Sequence, residues 1–201
     1  MKKYAGMYQN LASIFHDQLK DKKELVILDI GCGPGLLLRQ LHQMFPLSIL
    51  IGVDVSSEML NSARDQLNEL KNSSIFLSKT SSEALPYKSN RVDGIVSRYS
   101  LPYWPHPDIA FSEIYRVLKP GGVLVLEALN ADFSKLKLQL IKYKMMFRNA
   151  SEDVISYHID AYKLAYSLEQ IKEFCNSAQL NIEKVIGSTS DWKFIIIARK
   201  E

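Results

Sequence analysis

Apolar residues recur along this chain in two alternating patterns. Short β-branched runs such as Val26-Ile27-Leu28-Asp29-Ile30 and Ser48-Ile49-Leu50-Ile51-Gly52-Val53-Asp54 read as strands buried on both faces, as in a parallel sheet. Other stretches carry apolar groups at helical spacing: Met7, Leu11, Ile14, Phe15 and Leu19 within residues 4–21, and Met59, Leu60, Ala63, Leu67 and Leu70 after a Ser56-Ser57 cap. Further strands are predicted at 74–78, 92–97 and 123–129, and a helix at 108–118 that leads into a tight Lys119-Pro120-Gly121-Gly122 turn. Strands alternating with helices at this period predict an α/β fold with a right-handed, doubly wound sheet. The alternation breaks after residue 130. Ser167 opens a helix with Gln170 placed for a capping box, and 181–186 and 194–198 read as strands. The link between them, Gly187-Ser188-Thr189-Ser190-Asp191, is short enough only for an antiparallel pair. The expected architecture is thus a seven-stranded, mostly parallel sheet with an antiparallel last strand and helices on both faces.

Composition narrows the class. A chain of 201 residues, 47% hydrophobic and 23% charged, is read as one globular domain over 1–201. Its 25 basic and 22 acidic side chains leave a net charge of +3, which nominates neither nucleic acid nor a membrane surface. Lys135, Lys137, Lys142, Lys144 and Arg148 form the densest basic patch and read as a solvated helix face. Cys32 and Cys175 make no disulfide framework, and no Cys/His spacing predicts a metal site. No apolar leader follows Met1-Lys2-Lys3, and the apolar runs fall short of the about 18 residues a membrane span needs. A cytoplasmic protein is expected.

The chemistry concentrates at residues 26–35, where the first strand breaks into a glycine turn and a helix begins at Leu36. Glycines let a ligand approach the backbone, and the helix N–H groups point at it. A dinucleotide oxidoreductase needs G-x-G-x-x-G; here the spacing is G-x-G-x-G, with Asp29 just before it. The run Asp29-Ile30-Gly31-Cys32-Gly33-Pro34-Gly35 resembles motif I of the class I S-adenosylmethionine (SAM)-dependent methyltransferases. The resemblance extends from about Tyr8 to Ala198 in the family's order. Its most distinctive element after motif I is Arg116-Val117-Leu118-Lys119-Pro120-Gly121-Gly122, which identifies the family and does no chemistry.

The resemblance implies a SAM-dependent methyltransferase that yields S-adenosylhomocysteine, and it assigns roles residue by residue. Gly31, Cys32, Gly33 and Gly35 would line the methionine part, with Asp29 orienting the loop or accepting from the amino group. Asp54, ending the second strand, suits the ribose, whose two hydroxyls a carboxylate can receive together. Val55 and Met59 would flank the adenine. Thr80-Ser81-Ser82-Glu83-Ala84-Leu85-Pro86-Tyr87 is similar to the segment that meets the adenine edge, although Ser81 stands where the family carries an Asp; the N–H of Ser82 would still serve. Ser97 and Arg98 end the fourth strand beside the methyl donor, and Tyr8 would cover the cofactor. Residues 1–24 would form an N-terminal cap and 131–166 a lid over the acceptor. The expected acceptor is small and partly apolar, methylated on oxygen, nitrogen or carbon, and the protein a monomer or homodimer. Candidates for a general base are Tyr99, Tyr103, His106, Tyr157 and His158. Alternatives are a tRNA or protein methyltransferase docking through the basic patch, and a SAM-binding accessory protein without transferase activity.

Overall fold

A computed structural model describes residues 2–70, 74–134, 136–139 and 160–201, with residues 2–7 described by backbone alone. Tyr157, His158, Lys135, Lys142, Lys144 and Arg148 lie outside the described residues. In chain order the elements are α1 (Lys2–Leu19), β1 (Val26–Ile30), α2 (Leu36–Met44), β2 (Ile49–Asp54), α3 (Ser57–Leu67), β3 (Ile75–Lys79), β4 (Val92–Arg98), α4 (Pro107–Val117), β5 (Leu118–Leu129), α5 (Leu168–Ser177), β6 (Leu180–Ile186) and β7 (Lys193–Lys200). The strands form one seven-stranded sheet in the order β3-β2-β1-β4-β5-β7-β6. β1 to β5 pair in parallel, while β7 runs antiparallel to both β5 and β6, between which it lies. The doubly wound sheet with an antiparallel last strand is as the hydrophobic pattern predicts.

Both faces are covered, which is why the central strands are apolar throughout. On one face Leu11 and Phe15 of α1, Leu37 and Leu41 of α2 and Leu60 of α3 pack on Ile27, Val96 and Val125. On the other, Phe111 and Ile114 of α4 and Ile171 of α5 pack on Leu28, Ile95 and Leu124. Gly94 lets α1 lie directly on β4, because a Cβ there would come within 2.7 Å of Leu19 Cδ1 and Phe15 Cζ. That close approach carries the first turns of α1 over the end of β4. The caps read from sequence are present: Ser56 Oγ accepts from Met59 N at 3.2 Å, and Ser167 and Gln170 make a reciprocal capping box.

One expectation is corrected. Lys119-Pro120-Gly121-Gly122 does not separate α4 from β5; the strand starts at Leu118, which pairs with Val92, and the register shifts between Val92 and Gly94. Val117 and Leu118 are both fully buried, so the chain must turn into the sheet at once. The proline-glycine segment becomes an irregularity inside β5. It is tied down where Lys119 Nζ meets Asp93 at 2.8 Å, a carboxylate that also accepts from Val26 N at 2.9 Å.

Candidate cofactor and acceptor site

At the carboxyl end of β1 the chain turns through Gly31, Gly33 and Gly35, with φ of 70°, 52° and 75°, a region that side-chain-bearing residues avoid. The turn is anchored on β2. Gly31 N and Cys32 N donate to Val53 O at 2.8 and 3.0 Å, and Gly33 N donates to Asp54 Oδ2 at 2.9 Å. Asp54 Oδ1 accepts from Ser56 N at 2.9 Å, so one carboxylate holds both the glycine loop and the start of α3. A Cβ added at Gly33 would meet no atom within 4 Å, leaving the outer face of the loop open, whereas one at Gly31 would lie 2.2 Å from Ser100 Cβ. Beside Asp54, the apolar side chains of Val55 and Met59 are exposed.

Asp29 lies on β1 just before this cradle and is buried, and its Oδ2 has no hydrogen-bond partner. Burial pushes its carboxyl up to about 8, the negative charge of Asp54 adds to the rise, and Arg98 pulls the other way. Cys32 is also buried; burial first, then Asp29 and Asp54, drives its thiol up and keeps it neutral. Beyond β3, Ser81 Oγ bonds Glu83 Oε2, and Glu83 Oε1 accepts from His106 N at 3.2 Å. Ser82 is buried beside them. Ser97 Oγ donates to Ile30 O at 2.9 Å and sits 2.6 Å from Ser100 Oγ, so this side chain is used to lock β4 to β1. Tyr103 and His106 are exposed, on the turn ahead of α4.

A second group gathers where β4, β5 and β7 meet. Arg98 Nε donates to Glu127 Oε2 at 2.6 Å, and Lys193 Nζ bonds the other carboxylate oxygen. The Arg98 guanidinium lies 4.4 Å from the centroid of the Tyr8 ring and 4.2 Å from that of Tyr99. Tyr99 has φ +56° and packs on Trp192 at 5.9 Å between ring centroids. Tyr162 Oη donates to Trp192 O at 2.9 Å. Burial, then the Glu127 charge, pushes the Tyr99 hydroxyl well above its ordinary range, so it is a hydrogen-bond donor and not a base near neutrality. Of the residues singled out in the sequence, Asp29, Gly31, Gly33 and Asp54 meet at one end of the sheet, and Tyr8, Arg98 and Tyr99 converge next to them. Glu127, Trp192, Lys193 and Tyr162 were missed. Glu127 left a signal, as the single charge in the apolar run 123–129; the other three left none.

Residues 28–126 match the family model described as a methyltransferase domain. The chain is 31% identical over 188 residues to the demethylmenaquinone methyltransferase of Lactobacillus johnsonii, a match covering 92% of this chain and 75% of that protein. The chain belongs to the class I SAM-dependent methyltransferases. An uncharacterized chloroplastic methyltransferase of Arabidopsis thaliana is 35% identical over 103 residues, 49% of this chain and 29% of that protein. The chain thus spans well under half the length of several curated relatives it matches. In structure it is similar to a candidate SAM-dependent methyltransferase of Methanococcus maripaludis, with a TM-score of 0.73 and 25% identity over 98% of this chain and 86% of the other. The cofactor of the family is SAM, and the residues present fit it: an open glycine cradle, a strand-ending carboxylate, exposed apolar side chains beside it, and a buried carboxyl oxygen lacking a partner.

Proposed function

We propose that this protein transfers the methyl group of SAM to an oxygen, nitrogen or carbon of a small, partly apolar acceptor. The observation that carries the reading is the coupling of the open glycine loop to Asp54 through Gly33 N, with the unpartnered Asp29 Oδ2 beneath it. When bound, SAM supplies a methyl group already activated on a sulfonium. Asp54 accepts from the ribose hydroxyls, and Val55 and Met59 wall the adenine. The Ser82 N–H and Ser81 hydroxyl meet the adenine edge. Gly31, Cys32, Gly33 and Gly35 leave room for the methionine part, and Asp29 accepts from its amino group. Ser97 and Arg98 border that end through their main chain, and Tyr8 covers it. Acceleration then comes from holding the acceptor atom in line with the methyl group, where a displacement of about 1 Å is costly.

The lid expected over residues 131–166 lies largely outside the described residues. Its described part is joined to the sheet by the Asn130–Tyr166 bridge and by Tyr162 Oη on Trp192 O. Among the described residues no helix is long and apolar enough to cross a membrane, and a cytoplasmic monomer or homodimer completes the proposal. Calorimetric titration with SAM, with NADH, and with SAM on Asp54→Ala tests it. Saturable SAM binding that weakens sharply in the variant supports the reading; NADH binding without SAM binding overturns it.

A further inference from the structure

We propose that the methyl acceptor is an organic acid, its carboxylate or phosphate received by Arg98 Nη2 with the Tyr99 hydroxyl as a second donor. This deepens the methyl-transfer reading above and rests on it. The Arg98 side chain is only 9% exposed, yet Nη2 has no well-formed hydrogen bond; the buried Tyr99 Oη has none either, although it lies close enough to the guanidinium for the Arg98 charge and a weak contact to act on it. Leaving a charged donor desolvated and unpaired is costly, and native interiors avoid it. The guanidinium lies against the Tyr8 and Tyr99 rings and Glu127 takes its Nε, so among the described residues Nη2 is the donor left for a ligand.

Charge points the same way. Glu127 is fully buried between two cations, Arg98 and Lys193, and can neutralise one. Asp29, with its carboxyl near 8, gives little compensation at neutral pH. With Lys193 27% exposed to solvent, the group still carries one more cation than anion, a balance that favours an anionic ligand.

Backbone strain brings the two donors together. Strand alternation would send Tyr99 to the opposite face from Arg98. Its left-handed φ of +56° folds the ring back onto the guanidinium instead, a conformation that persists only where the surroundings enforce it. The pair borders the cofactor end of the sheet, where Ser97 pairs with Ile30 and the Arg98 charge acts on Asp29. The glycine loop and Asp54 belong to β1 and β2, whereas Arg98 and Tyr99 are tied toward β5 and β7 through Glu127 and Trp192. Trp192 and Tyr162 supply the apolar wall that a ring- or chain-bearing acid needs.

The test begins with calorimetric titration of the full chain with S-adenosylhomocysteine, which reports on the cofactor site alone. Benzoate, phenyl phosphate and the neutral benzyl alcohol are then titrated into the protein with and without that product. One of the anions should bind at least about tenfold tighter than the alcohol, as a charge-assisted hydrogen bond allows, and the tighter one tells carboxylate from phosphate. Arg98→Gln should abolish the preference, read at saturating S-adenosylhomocysteine so that any change in cofactor affinity is measured separately, and Tyr99→Phe should reduce the preference in part. If Arg98→Gln does not fold, Arg98→Lys, which keeps the charge and loses the fork, should reduce the preference without abolishing it. Equal binding of anions and alcohol overturns the proposal. So does an Arg98 variant that loses S-adenosylhomocysteine and keeps the anion preference, because Nη2 then serves the cofactor's own carboxylate. If the intact chain ignores S-adenosylhomocysteine but prefers anions through Arg98, the methyl-transfer reading fails and the anion site stands.

Discussion

Asp54 and Asp29 are two carboxylates at the same edge of the sheet with opposite tasks. Asp54 is partly buried and accepts from two backbone N–H groups, so replacing it removes a ribose partner and frees the glycine loop together. Asp54→Ala should weaken SAM binding by about a hundredfold in calorimetry, the scale of losing a charge-assisted pair. Asp29 should behave as a proton reservoir. Its folded-state carboxyl, near 8, is protonated at pH 7; a cationic amino group docked on Oδ2 lowers it and expels the proton. SAM binding at pH 7 should therefore release a proton, seen as a binding enthalpy that depends on the buffer, and Asp29→Asn should remove that dependence. In the ligand-free protein the folded state holds this proton more tightly than the unfolded chain does. Its contribution to stability is therefore complete below the ordinary value of 3.8 and is lost as pH rises through about 8. Both acids were legible in the sequence, one before a glycine turn and one closing a strand. The Arg98–Glu127–Lys193 group was not, because its members meet only through the pairing of β4 with β5 and of β5 with β7.

At the scale of elements, the glycine loop offers a clean contrast. Gly31 and Gly33 both need positive φ, but a Cβ at Gly31 would collide with Ser100, while one at Gly33 would enter open space. Gly31→Ala should cost about 3 kcal/mol or more of unfolding free energy in urea, and Gly33→Ala about 1 kcal/mol. Ligand binding should reverse the ranking in one respect: Gly33→Ala should still fold yet lose SAM affinity by about tenfold or more, because its methyl group fills the cradle. The strands were readable because runs buried on both faces leave a continuous apolar trace, and the β6–β7 link because so short a segment cannot make a crossover. The Lys119-Pro120-Gly121-Gly122 segment misled, since composition marks a bend without saying whether pairing continues through it. Here Leu118 pairs with Val92 ahead of the bend.

Across the whole molecule, α1 is both a wall of the core and a roof of the site. Leu11, Ala12, Phe15 and Leu19 are almost fully buried, and Tyr8 lies on Arg98. Burying the three large side chains is worth roughly 5–9 kcal/mol, comparable to the net stability of a domain. A chain lacking residues 1–20 should therefore fail to fold, judged by circular dichroism and gel filtration, whereas Leu11→Ala should lose about 2–5 kcal/mol and remain folded. The position of β7 has a consequence of a different kind. It is the last of the seven in chain order, yet it lies inside the sheet, between β5 and β6. During synthesis on the ribosome, β6 emerges with no neighbour to join, and the apolar edge of β5 stays bare until Lys193–Lys200 arrives. The nascent protein must pass through an interval in which five strands are paired and a sticky edge is open. Trp192 and Lys193 reach the site only when that interval closes, so the newly made enzyme gains its finished pocket and its protection from aggregation in one step.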